Sequence, residues 1–222
     1  MSNRSIHTLL KSWDEECPLT REEAVEVLNL PEEEMDSLME CAYALRTKYK
    51  GKKVSVQLLT NVRSGNCTQN CAYCAQSKDS QAEIEKYKRV SDEKLYGDND
   101  LVDEKHLARH CIGLSGIGFS DEEIEDLADR IREMKKKDTQ ICCSIGFLTE
   151  KQARILKDAG LDRINHNLNS SRSFYPEICT THTYDQRVNN IKMLQSLGFE
   201  ICSGGIVGMG ESKEDIVDML MD

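Results

Sequence analysis

An α/β fold with parallel strands is the class this sequence predicts, on three observations. Five segments open with a Ser or Thr followed three residues later by Glu, Gln or Asp: Thr20/Glu23, Ser120/Glu123, Thr149/Gln152, Thr183/Gln186 and Ser212/Asp215. In that pattern each side chain satisfies an amide that a helix start leaves unpaired. Two of the helices so opened end at Gly160 and Gly198, as a left-handed helix end prefers. Short apolar or β-branched runs alternate with the helices, at crossover lengths that parallel strands require.

The elements follow in order. Thr20 to Leu30 and Pro31 to Tyr49 read as two amphipathic helices, the second opened by Pro31 at its first position, where a missing N–H costs nothing. They form an expected N-terminal helical cap, residues 1–50. Strands are expected at Val54 to Leu59, around Cys111 to Leu114, at Gln140 to Ile145, Leu161 to Leu168 and Phe199 to Val207. The polar stretch Lys78 to Asp103 is the one long connection, a loop with some helix. Residues 51–222 then form either a (β/α) barrel or an open doubly wound sheet.

Composition narrows the function classes. The chain has 222 residues, 39% hydrophobic and 31% charged, enough for one sizeable core. Its formal net charge of −10 opposes binding to phosphate backbones, and Lys135 to Lys137 closes an expected helix, where cations complement the dipole. No nucleic-acid partner is expected. No stretch approaches the ~20 apolar residues that span a bilayer, and Met1 to Glu16 lacks an apolar targeting core. The expected location is the cytoplasm, away from membranes. Ten cysteines in a reducing compartment argue for metal or redox chemistry over disulfides.

Cys67-Thr-Gln-Asn-Cys71-Ala-Tyr-Cys74 spaces three thiols as C-x3-C-x2-C on a loop after the first expected strand. Three thiolates on one short loop reach three corners of a cubane cluster and leave the fourth iron open. A structural zinc site wants a fourth ligand nearby, so zinc binding or incidental cysteines is the plainer alternative. Cys111, Cys142 and Cys202 fall on three different expected strands and could converge inside a barrel; each taken alone reads as a buried core cysteine. Cys143 points to the face opposite Cys142. Cys17, Cys41 and Cys179 have no partner at ligand spacing and read as structural or incidental.

Asn165, Asn167 and Asn169 alternate along a strand end and so share a face; the alternative is a hydrogen-bonded turn. Arg187 either pairs with a carboxylate or lies solvated on its helix. Gly204-Gly205-Ile-Val-Gly208-Met-Gly210 follows a strand and precedes a helix with the wrong spacing for a dinucleotide turn. A tight turn and a close backbone approach to a ligand both fit it.

The three-cysteine loop with Tyr73 before its last cysteine resembles the radical S-adenosylmethionine enzymes, and Cys74-Ala-Gln-Ser77 resembles their biotin synthase subgroup. Four further segments agree: Ile141-Cys-Cys-Ser-Ile-Gly146, Asn165-His-Asn-Leu-Asn-Ser-Ser171, Ile178-Cys-Thr-Thr-His-Thr-Tyr184 and Cys202-Ser-Gly-Gly-Ile-Val-Gly-Met-Gly-Glu211. The resemblance runs from about Thr20 to the last residue. It implies a partial (β/α) TIM-type barrel with about five parallel strands. It also implies a 4Fe-4S cluster on Cys67, Cys71 and Cys74, and an auxiliary 2Fe-2S cluster on Cys111, Cys142, Cys202 and one arginine.

The resemblance further implies S-adenosyl-L-methionine bound near Tyr73, Asn167, Asn169, Arg187, Gly204 and Gly205, with Asn165 on the ureido group of dethiobiotin. Some relatives have Asp at the place of Asn169. The implied reaction is sulfur insertion into dethiobiotin to give biotin, begun by hydrogen abstraction by a 5'-deoxyadenosyl radical. Implied partners are a second copy of the chain, as a homodimer, and an electron donor such as flavodoxin or ferredoxin. Three barrel strands and the arginine ligand of the auxiliary cluster correspond to sequence after Asp222. The chain therefore reads as C-terminally truncated, inactive alone or in need of a complementing fragment. Two other readings are a different radical enzyme of the subgroup, hydrogenase-maturing or methylornithine-forming, and a non-catalytic iron-sulfur or zinc-binding remnant.

Overall fold

The computed structural model describes residues 19–222; Cys17 and the segment Met1 to Glu16 lie outside them. In chain order the elements are α1 (Arg21–Leu28), a 3-10 turn (Glu32–Glu34), α2 (Met35–Lys50), β1 (Gln57–Arg63), α3 (Asp92–Glu104), β2 (Arg109–Leu114), α4 (Asp121–Met134) and β3 (Ile141–Ser144). There follow α5 (Glu150–Asp158), β4 (Arg163–Asn165), α6 (Tyr175–Ile178), α7 (Tyr184–Ser196), β5 (Glu200–Cys202) and α8 (Lys213–Met221).

All five expected capping boxes are formed, at the starts of α1, α4, α5, α7 and α8. Gly160 and Gly198 stand just past the ends of α5 and α7 with φ of +96° and +79°, a backbone that other residues adopt only at a steric cost. Pro31 departs from expectation. It precedes the 3-10 turn, and α2 begins only at Met35.

Two compact units emerge. One joins the described part of Met1–Val54 to Gly210–Asp222. Within it α1 and α8 are tied by Arg21, which donates to both carboxylate oxygens of Asp218 at 2.5 and 3.0 Å, and by Lys213 donating to Asn29 at 2.8 Å. Exposed ion pairs of this kind add little stability.

The other unit, Ser55–Met209, holds the sheet. Its five strands are all parallel and lie in the order β1-β2-β3-β4-β5. A doubly wound sheet reverses its strand order at a switch point; sequential order with a helix after each strand is the barrel plan. Residues alternate between two faces. Val62, Ile112, Cys143 and Ile164 point into a core completed by Ile124, Leu127 and Ile131 of α4, Leu156 of α5 and Leu194 of α7. Seven of these nine side chains, all but Val62 and Leu127, are fully inaccessible, and each aliphatic one so buried contributes about 1.5–3 kcal/mol.

The opposite face carries the polar and sulfur-bearing residues in two rows. Leu59, Cys111, Cys142, Arg163 and Glu200 align in one, and Asn61, Gly113, Ser144, Asn165 and Cys202 in the next, toward the C-terminal strand ends. The expected β1 at Val54 to Leu59 is shifted: Val54 and Val56 are exposed, and the strand runs over Gln57–Arg63 with Thr60 and Val62 buried. β4 and β5 are only three residues each, far shorter than the apolar runs that announce them. The Lys78 to Asp103 connection ends in α3, capped by Ser91. Among the described residues no helix is long and apolar enough to cross a membrane.

Candidate functional site

Past the C-terminal ends of β1 to β4 lies a cleft of about 300 Å³. Its wall includes Cys67, Cys71, Cys74 and Tyr73 from the loop after β1, and Asn165, Asn167, Asn169 and Arg187 from β4 and beyond. That placement suits a barrel, whose functional groups gather at the ends of parallel strands. The cysteine loop is held by backbone bonds: Ala72 N–H donates to Ile178 at 2.9 Å, Cys74 N–H to Cys71 at 3.1 Å and Lys78 N–H to Gln69 at 3.1 Å. Cys71 is buried while Cys67 and Cys74 are half-buried. Burial, with Cys179 beside it, pushes the Cys71 thiol up to about 12.

The asparagine row is brought together even though β4 ends at Asn165. Asn169 takes φ +71°, which asparagine tolerates better than most residues. Its backbone bridges to the glycine-rich segment, with its N–H donating to Gly204 at 3.0 Å and its carbonyl accepting from Ile206 at 2.9 Å. Its side-chain amide donates to the Tyr73 hydroxyl at 2.6 Å. Gly204 and Gly205 thus stand beside the row, although neither lines the cleft itself.

Arg187 is not a solvated helix residue. Its guanidinium donates to the Tyr175 hydroxyl, to the Asn167 carbonyl at 3.1 Å and to His182 Nε2 at 3.0 Å. His166, only 3% exposed, also lines the cleft and leaves Nε2 without a partner. Burial and then Arg187 lower its pKa to about 4, so the ring is neutral.

Cys111 and Cys142 face each other across β2 and β3 on the polar face, and Cys143 lies in the core on the other side. Cys111 is drawn down to about 7 by the Cys142 thiol and, against burial, by Arg109 and Arg163. Cys142 is correspondingly raised. Cys202 sits one row further along and two strands away, 4.0 Å from Asn165 Nδ2. These three therefore form a pair and a more distant third thiol on one face.

Cys179 departs from the expectation of an incidental cysteine. Its sulfur is 3.7 Å from Cys71 Sγ and 3.3 Å from His182 Nδ1. The three donors are all buried and lie within 4.8 Å of one another. Cys179 and His182 are spaced C-x2-H in the sequence, which is itself a ligand spacing. Cys41 is half-buried on α2.

Residues 61–222 match the Radical SAM superfamily model. Biotin synthase of Geobacillus kaustophilus is 41% identical over 202 residues, which is 90% of this chain and 61% of that protein. Biotin synthase of Bacillus subtilis is also 41% identical, over 90% of this chain and 60% of that protein. The chain spans about 60% of the length of these curated relatives. In fold it is similar to methylornithine synthase (PylB), with a TM-score of 0.86 at 18% identity, covering 96% of this chain and 63% of that one. The matched region contains the cysteine loop, the asparagine row and every strand from β2 on, and the chain belongs to the Radical SAM superfamily.

Proposed function

We propose that this chain binds a 4Fe-4S cluster through Cys67, Cys71 and Cys74 and S-adenosyl-L-methionine in the adjoining cleft, and serves biotin synthase-like sulfur insertion into dethiobiotin. The observation that carries this reading is one cleft lined by three thiols from a single loop together with Asn165, Asn167, Asn169 and Arg187. Three thiols on one loop are the donor number that a cubane with one open corner takes. Two thiolates on one tetrahedral ion at bonds near 2.3 Å stand about 3.8 Å apart, and Cys179 is already that close to Cys71. It is therefore too near to serve a separate corner, so the loop's three thiols would hold three irons and leave the fourth for the amino and carboxylate groups of the cofactor.

When bound, these groups supply one-electron cleavage of the cofactor's sulfonium, hydrogen abstraction from dethiobiotin and, from an auxiliary 2Fe-2S cluster, sulfur. The chain's residues position and exclude. Asn167 and Asn169 hold the ribose, with Tyr73 fixing the Asn169 amide. Arg187, anchored by Tyr175 and His182, presents charge toward the cofactor carboxylate. Gly204 and Gly205 allow adenosine close to the backbone, and Asn165 meets the ureido group. Cys111, Cys142 and Cys202 hold the auxiliary cluster on the polar face, where the lowered Cys111 is the readiest thiolate.

The setting is cytoplasmic, in keeping with nine free cysteines among the described residues. The partners are a second copy and a flavodoxin- or ferredoxin-type electron donor. Five strands leave β1 and β5 as open edges, so the chain acts with further strands that close the barrel. In a biotin auxotroph fed dethiobiotin, the chain alone is expected not to restore growth. Extended with the remaining strands of a biotin synthase relative, it is expected to do so. Growth with the chain alone refutes the need for those strands; failure of the extended chain, with both clusters present, refutes the substrate.

A further inference from the structure

We infer that Cys71, Cys179 and His182 form a metal site of their own in the cluster-free chain, selective for a thiophilic tetrahedral divalent cation such as zinc. A tetrahedral zinc ion with bonds of about 2.3 Å to sulfur and about 2.05 Å to nitrogen sets its ligand atoms about 3.8 Å apart for two sulfurs and about 3.6 Å apart for sulfur and nitrogen. The observed separations are 3.7 Å between Cys71 and Cys179, and 3.3 Å from Cys179 to His182 Nδ1. The three donors are buried together before any ion arrives, so little chain ordering is left to oppose binding.

The surroundings define what changes. Arginine only donates, so Arg187 at 3.0 Å makes His182 Nε2 an acceptor and places the ring proton on Nδ1, which donates to Gln69 Oε1 at 2.9 Å. Binding through Nδ1 moves that proton to Nε2, where the Tyr175 hydroxyl at 2.9 Å accepts it and Arg187 withdraws. A ligating histidine commonly has such a partner on its other nitrogen. Two thiols lose their protons to solvent as the ion enters, and water takes the fourth position. Because Cys71 also belongs to the proposed cluster loop, zinc here excludes the cluster; that consequence alone rests on the function proposed above.

The test uses the whole chain, freed of metal by a chelator and kept anaerobic, titrated with cobalt(II) and then zinc. The expected result is one tight site with the visible bands of tetrahedral cobalt and thiolate charge transfer. X-ray absorption of the zinc form should give two sulfurs and a nitrogen. Cys179→Ser and His182→Ala should each weaken binding by at least about 100-fold, since even outer partners of a metal site cost 10–100-fold. Cys67→Ser and Cys74→Ser should leave it within about threefold. Three sulfurs around zinc, or loss of binding in Cys67→Ser or Cys74→Ser but not in Cys179→Ser, overturns the inference, as does no binding at all. Iron and sulfide analysis of reconstituted Cys179→Ser reports separately on the cluster, which that variant should retain.

Discussion

Gly146 closes the segment Ile141-Cys-Cys-Ser-Ile-Gly146 and lines the cleft. A Cβ added there would stand 2.4 Å from the Ile117 carbonyl oxygen, 2.5 Å from its carbon and 2.7 Å from the Gly116 oxygen. Ordinary contact begins near 3.4 Å, so two loops must part by about 1 Å. These neighbours are backbone and cannot swing aside. Overpacking of that kind costs about 1–3 kcal/mol. The Ile117 oxygen also accepts the Phe147 N–H at 2.7 Å, and losing that bond adds about 1 kcal/mol. Gly146→Ala should therefore destabilise the chain by about 2–4 kcal/mol, or roughly 4–16 °C in Tm for a unit of this size. Gly204→Ala is the control, because its nearest neighbour, Asn167 Oδ1, is 3.9 Å away. Urea unfolding followed by circular dichroism measures both. A Gly146→Ala midpoint indistinguishable from wild type would refute the close approach of the β2 and β3 loops.

Further predictions concern the polar groups of the cleft. His166 has a folded-state pKa of about 4 against an ordinary 6.5. The unfolded chain thus binds more protons between those values, and its contribution is complete above about pH 6.5 and lost as pH falls toward 4. The loss is about 3 kcal/mol, and His166→Asn should reduce the slope of stability against pH by up to about 1.4 kcal/mol per unit. An unchanged slope contradicts the burial of this imidazole. Tyr73→Phe removes the acceptor of the Asn169 amide; a cost of about 1 kcal/mol is expected in unfolding, with weaker binding of S-adenosyl-L-methionine by calorimetry. Ser120→Ala, which deletes the cap of α4, should cost about 1 kcal/mol with ligand affinity unchanged.

Local signals were legible where local physics decides. Each capping box pairs groups three residues apart, so Thr20, Ser120, Thr149, Thr183 and Ser212 announce helix starts without reference to the rest of the chain. Strand limits were harder, because one face of this sheet is a site. β1 buries Thr60 and Val62 but turns Gln57, Leu59 and Asn61 toward the polar face, and its hydrophobic signal slid toward the exposed Val54 and Val56. Pro31 fits either a helix start or the 3-10 turn that it precedes. The Cys71, Cys179 and His182 group joins residues 108 apart in sequence, and no spacing rule reaches that far. Whether Arg187 was solvated depended on Tyr175 and His182, whose placement only the folded loop around α6 supplies.

The most direct test of the account is the iron held by the cysteine loop. Anaerobically reconstituted chain should carry four more irons than the Cys67→Ala/Cys71→Ala/Cys74→Ala variant, and the electron paramagnetic resonance signal of the reduced protein should change when S-adenosyl-L-methionine is added. Equal iron in the two proteins, or a signal indifferent to that addition, contradicts the reading of the loop as a three-thiolate cluster site with one corner open.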